Sequence, residues 1–198
     1  MSKKKLLPKK KTLKDVTPMS DEELAKGIED LSPFLHDAIK DRTEEIPRNV
    51  LEGLVQGADI PRRIMIKYQI PFNRHQQRQL AIEAVYHHLL MGKDIRRALY
   101  DVLLESNEVE SFLLNLAVSA VDNEEEYISE IENSLRDDWS WDRLSMLEKS
   151  ILLTSLAEIR DIKTPKAVVI NEAVTLAKEY CDDSSPKLIN GILDKVHE

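Results

Sequence analysis

The chain has 198 residues, 42% of them apolar and 32% charged, with a formal net charge of −8. Its longest unbroken apolar run, Ala167 to Ile170, is far short of the ~20 residues of a spanning helix, and no apolar stretch follows the leading lysines as a secretory signal requires. Cys181 is the single cysteine, which excludes a disulfide framework or a cysteine-built zinc site and points to a reducing cytoplasm, and only five glycines leave little scope for phosphate-binding loops or tight hairpins.

Scarce glycine and aromatics, with abundant Leu, Ile, Ala, Glu and Lys, predict an all-α protein. Residues 1–14 carry seven lysines and no acid, and residues 1–19 read as a basic, flexible tail. Its lysines are either a solvated terminus or cations lent to a polyanion. Residues 20–72 read as an extension of short helices. Ser20 to Glu23 forms a capping box that opens a helix at Asp21. Ser32-Pro33 opens a second, which Pro47 is expected to end. Gly53, Gly57 and Pro61 interrupt the chain between there and residue 72. Residues 15–59 sum to −8, whereas residues 60–82 carry Arg62, Arg63, Lys67, Arg74 and Arg78 and no acid.

From residue 73 the pattern becomes one of regular helices. Asn73 is placed to cap a helix over 74–91, stopped by Gly92. Ala81, Val85 and Leu89 step by four along it. Further helices are predicted over about 94–105, 108–121 and 124–136. Ser145 to Glu148 is another capping box and opens a helix over 146–161. No charge falls between Ser150 and Ala157, so this helix belongs at the centre of its bundle. Thr164-Pro165 and Ser185-Pro186 start the last two helices. Seven helices with short connections make a bundle domain over 73–198.

Catalytic patterns are not found. His87 and His88 are neighbours on one helix, so their side chains diverge by about 100° and do not converge on one metal. Glu124 to Glu126 open a helix, where they favour its dipole. Cys181 reads as a small packing residue. No metal and no cofactor is expected, and the chain reads as a binding protein, not an enzyme.

Two segments are unusual for plain core helices. In Val168 to Lys178, Asn171 and Glu172 interrupt an apolar run; Asn171 is expected to be a buried hydrogen-bonder tying two helices together. In Ser185 to Lys195, Gly191 sits mid-helix at a cost of ~1 kcal/mol relative to Ala, for which close helix–helix approach is the expected compensation. Lys187 lies in a first turn, a poor place for a cation unless it and the free N–H groups face an anion.

With Arg74-x-x-x-Arg78 leading to Ala84-Val85-Tyr86, and with Trp141, Arg143-Leu144 and Glu148 to Leu152, these segments resemble the NusB family of bacterial transcription antitermination factors. The resemblance covers about residues 74–198 and assigns residues 1–72 no counterpart. It implies a domain of two perpendicular three-helix bundles that binds boxA-type RNA of nascent ribosomal transcripts together with the ribosomal protein NusE, linked to elongating RNA polymerase. The RNA-binding residues it implies are Arg74, His75, Arg78, Tyr86, Ser185, Lys187 and Leu188, the last standing where an aromatic is common in the family. Glu148 matches the position expected to face NusE. Two alternatives stay open, the first from the net acidity and the glutamines among the cations, Gln76 and Gln77, and the second because the same fold resembles the RNA-binding module of a ribosomal RNA cytosine methyltransferase family. One is a helical protein–protein adaptor that has lost RNA binding. The other is an RNA-targeting partner of a separate ribosomal RNA methyltransferase.

Overall fold

The computed structural model describes residues 10–106, 108–136 and 139–196. The fold is all-α: among the described residues no strand forms, and one isolated parallel bridge joins Thr12 to Asp59. The chain divides into two compact units, one ending at Phe72 and one beginning at Asn73.

The N-terminal unit holds α1 (Asp21–Glu29), α2 (Pro33–Ile39), α3 (Arg48–Val55) and α4 (Arg62–Lys67). The Ser20 hydroxyl accepts the Glu23 N–H, and the Glu23 carboxylate accepts the N–H of Ser20, so the predicted capping box is formed. α2 stops at Ile39 and passes into a 3-10 turn, so Pro47 does not end it. Pro47 instead precedes α3, where a proline loses no helical hydrogen bond. Residues 10–19 of the expected tail are tied down. The Asp59 N–H donates to the Lys11 carbonyl at 2.7 Å, and the Gln56 amide donates to the Thr17 carbonyl at 2.7 Å. Lys3, Lys4, Lys5 and Lys9 lie outside the described residues. Glu52 is buried, and its Oε1 accepts from the Met19 N–H and from Arg48.

The C-terminal unit holds α5 (Arg74–Met91), α6 (Ile95–Val102), α7 (Ser111–Asp122), α8 (Glu124–Ser134), α9 (Met146–Arg160), α10 (Lys166–Tyr180) and α11 (Ser185–Lys195). Helices α5, α6 and α7 pack on one another; so do α9, α10 and α11. These are the two three-helix sets, joined chiefly where α5 and α7 meet α9. α6 is shorter than predicted because Leu104 and Glu105 turn to positive φ, +54° and +67°. Neither is glycine, so the stop leaves no residue-type signal. α7 starts three residues later than predicted, at Ser111.

α9 is buried without a break from Glu148 to Ile159 and touches all three of α5, α7 and α10. Its hydroxyls turn inward on their own helix. Ser150 donates to the Met146 carbonyl at 2.7 Å, Thr154 to Ser150 at 2.8 Å and Ser155 to Ile151 at 2.6 Å. Such back-bonding satisfies a hydroxyl without a partner helix. At the end of α9, Asp161 gathers the Tyr127 and Ser119 hydroxyls and the Asn123 amide, fixing the α7–α8 corner.

Two expectations for the last helices are corrected. Asn171 is exposed, not buried, because Val169, Ala173 and Leu176 define the inward face of α10 and residue 171 falls outside it. Gly191 is exposed as well, and a Cβ there would meet nothing within 4 Å, so no close helix approach requires it.

Candidate nucleic-acid interface

Asn73 starts α5 with a reciprocal cap: its side chain accepts the Gln76 N–H, and Gln76 Oε1 accepts the Asn73 N–H, both at 2.9 Å. A helical repeat of 3.6 residues then brings residues 74 and 78 to one side and 75 and 79 to the next. Arg74 is exposed. Its guanidinium lies 4.2 Å from the Phe112 ring centre and donates to Gln77 Oε1 at 3.2 Å. The apolar ring supports the cation while leaving its charge outward.

Arg78, one turn later, is in a different situation. It is 9% exposed and donates twice to Glu158, at 2.8 and 2.6 Å; Glu158 is 2% exposed. A second carboxylate, Glu172, stands 3.5 Å from it. Burial opposes the charge most strongly, but the hydrogen bonds and attraction from Glu158, with Glu172, outweigh it and raise the pKa above the ordinary guanidinium value. The charge of Arg78 thus joins α5 to α9 and α10. His75 lies beside it, with Nδ1 2.9 Å from Glu172 and Nε2 3.2 Å from the Gln79 amide. The Gln79 amide also donates to the Tyr180 hydroxyl at 2.8 Å. Glu172, which looked like an interruption of an apolar run, is the shared partner of His75 and Arg78. Sequence reasoning missed it and Glu158 because their partners are 80 and more positions away.

Tyr86 is half-buried, with its ring 6.3 Å from that of His87. Twelve residues of helix place it about 18 Å along the axis from Arg74, so these two are not neighbours.

At the start of α11, Ser185 is buried and its N–H donates to the Asp182 carbonyl at 3.0 Å. Lys187 is exposed and Leu188 half-buried. Both open onto a cleft of about 360 Å³ between α11 and the end of α8, with Arg136, Trp139, Gly191 and Lys195 also on its walls. Lys195 Nζ donates to the Ser134 carbonyl at 2.9 Å and so holds the end of α8 to α11. Lys187 therefore faces this cleft, whereas Arg78 fills space among α5, α9 and α10.

Glu148 is buried, with one oxygen accepting the Ser145 N–H at 2.7 Å, and the Ser145 hydroxyl accepts the Glu148 N–H at 3.2 Å. Its carboxylate is engaged in capping α9. Cys181, at the end of α10, lies in the field of this carboxylate. Burial first, then Glu148 and Asp182, push its thiol up to about 11. Among the described residues no group of three or more His, Cys, Asp or Glu gathers to hold a metal ion, and no helix is long and apolar enough to cross a membrane.

Outward cations at two helix starts, on an all-helical domain in which buried Arg78 is paired with Glu158, mark a candidate binding surface. The chain belongs to the NusB family, whose model matches residues 75–198. It is 36% identical to the transcription antitermination protein NusB of Sulfurovum sp. over 126 residues, 62% of this chain and 96% of that protein. The NusB protein of Picosynechococcus sp. is 28% identical over 178 residues, 90% of this chain and 80% of that one. The C-terminal unit spans only 73–198, so this second match runs into the N-terminal unit, and the extension has a counterpart in the family after all. A solved structure of the antitermination factors NusB and NusE in complex with double-stranded RNA matches with a TM-score of 0.54 and 28% identity, covering 62% of this chain and 96% of that one.

Proposed function

We propose that this chain acts in antitermination of ribosomal RNA synthesis, binding boxA-type RNA together with the ribosomal protein NusE and linking both to elongating RNA polymerase. The observation that carries the reading is the likeness, over nearly the whole length of the relative, to a NusB protein solved with NusE and RNA. In this reading Arg74 and Lys187 neutralise phosphates. His75, Tyr86, Ser185 and Leu188 shape the RNA face. Arg78 supports it from within, through Glu158. The first turn of α9, shaped by Glu148, faces NusE.

The internal pairing of Arg78 lowers the number of outward cations and so favours one competing reading, an adaptor that binds protein but not RNA. Titration of boxA-type and scrambled RNA, with NusE present, separates them. The expected result is a preference for boxA-type RNA. Its salt dependence should flatten by about 0.7 in log–log slope for each of Arg74→Ala and Lys187→Ala, the amount expected per phosphate contact on a single strand. No preference, with NusE binding intact, supports the adaptor.

A further inference from the structure

The cleft between α8 and α11 has a composition that antitermination by phosphate contacts alone does not use. Among its described lining residues are three cations, Arg136, Lys187 and Lys195, and no carboxylate, in a chain of net charge −8. Its remaining walls are largely apolar: the Trp139 ring with Leu188 and Ile192. Gly191 is on the wall of the cleft, and a side chain there would project into open space, with nothing within 4 Å of its Cβ. The Trp139 backbone N–H donates to the Arg136 carbonyl at 2.8 Å, and the Arg143 guanidinium lies over one face of the Trp139 ring, 5.1 Å from its centre.

An aromatic platform, an apolar wall and flanking cations are the combination that binds an unpaired nucleotide: the base stacks, and the phosphates on either side meet the cations. A cleft of about 360 Å³ lies at the small end of ligand sites and suits one nucleotide rather than a helix. We propose that this cleft takes a single unpaired base of the bound RNA, with Trp139 as the stacking surface and Gly191 as the residue that keeps the slot open. Trp139 thus supplies the aromatic surface that Leu188, at the start of α11, does not. The mid-helix glycine has its explanation here, in room for a ligand and not in helix packing. This inference rests on the RNA-binding reading above and adds to it which residues choose an unpaired base.

The test uses the full chain carrying Trp141→Phe, which leaves Trp139 as the only tryptophan and keeps an aromatic ring beneath Lys149. The probes are a boxA-type single-stranded RNA and its derivatives with one base removed at each position in turn. Binding is expected to change Trp139 fluorescence. Removal of one particular base should weaken binding roughly ten-fold, the scale of one base–aromatic stack. Gly191→Leu and Trp139→Ala should each weaken the intact RNA by a similar factor and make removal of that base inconsequential. Gly191→Leu is expected to keep its helical melting transition, because its side chain meets open space.

If the parent binds the RNA but every single-base removal is neutral, or Gly191→Leu binds as the parent does, the cleft is overturned while the RNA-binding function stands. If Gly191→Leu weakens NusE binding and leaves RNA affinity unchanged, the cleft belongs to the protein partner and the inference fails. If the parent binds no RNA at all, the function proposed above fails and the cleft falls with it.

Discussion

Arg78→Ala is the substitution whose outcome the structure constrains most tightly. The guanidinium is 9% exposed and makes both of its short bonds, 2.8 and 2.6 Å, to a carboxylate that is itself 2% exposed. Truncation leaves the Glu158 carboxylate buried without its main partner. Breaking one side of such a pair costs about 3–5 kcal/mol, a large share of the about 5–15 kcal/mol that holds a typical domain folded. Replacing both members by apolar residues, Arg78→Met with Glu158→Leu, removes the uncompensated charge, so the double variant should lose less than either single one. Chemical denaturation followed by the helical circular-dichroism signal measures all four members of the cycle. The RNA affinity of Arg78→Ala, corrected for the unfolded fraction, should stay within about two-fold of the parent, well below the effect of losing a charge-assisted contact. A variant that melts like the parent yet loses RNA binding would refute the reasoning and return Arg78 to the surface chemistry.

Two other outcomes rest on local geometry. Cys181, pushed up to about 11, should alkylate slowly at neutral pH, with a rate that keeps rising to about pH 11 instead of levelling near 9; iodoacetamide labelling followed by mass spectrometry reads this. The folded chain holds that proton more tightly than the unfolded one does. Its contribution to stability is therefore complete below about pH 9 and lost as pH rises through about 11, and Cys181→Ala should remove that part of the pH dependence. In the N-terminal unit, a Cβ on Gly27 would overlap Val55 Cγ1. Gly27→Ala should cost about 1–3 kcal/mol by overpacking, and Val55→Ala in the same chain should restore part of the loss, as thermal melting will show.

The beginnings of helices were the most legible features of this sequence. Ser20, Asn73 and Ser145 each cap the helix they announce, because a cap is a local interaction spanning three residues. The central place of α9 was also legible, since an uncharged stretch has to be buried somewhere. Helix ends were harder to read. α6 stops where Leu104 and Glu105 adopt a backbone usually reserved for glycine, and residue type gives no warning of that. The candidate site divides along the same line. Arg74 and Lys187, which local signals place at helix starts, are exposed there. The fate of Arg78 depended on Glu158, 80 residues on, and on Glu172, and only tertiary packing brings these together. Asn171 and Gly191 were both misjudged, because a residue that breaks a pattern was expected to have its cause inside the protein. For Asn171 the helix phase turns it to solvent, and for Gly191 the space beyond it is open.

The hydroxyls of α9 have a bearing on how this domain diverges. Each of Ser150, Thr154 and Ser155 is satisfied one turn back along its own helix, so these hydroxyls make no polar demand on the helices around them, in contrast to Glu158 of the same helix, which requires Arg78 of α5. Opposite the hydroxyls, the neighbouring helices have only to remain apolar and of suitable size. Side chains there can exchange without leaving a hydroxyl unpaired, a tolerance that suits a fold shared with a solved NusB structure at 28% identity.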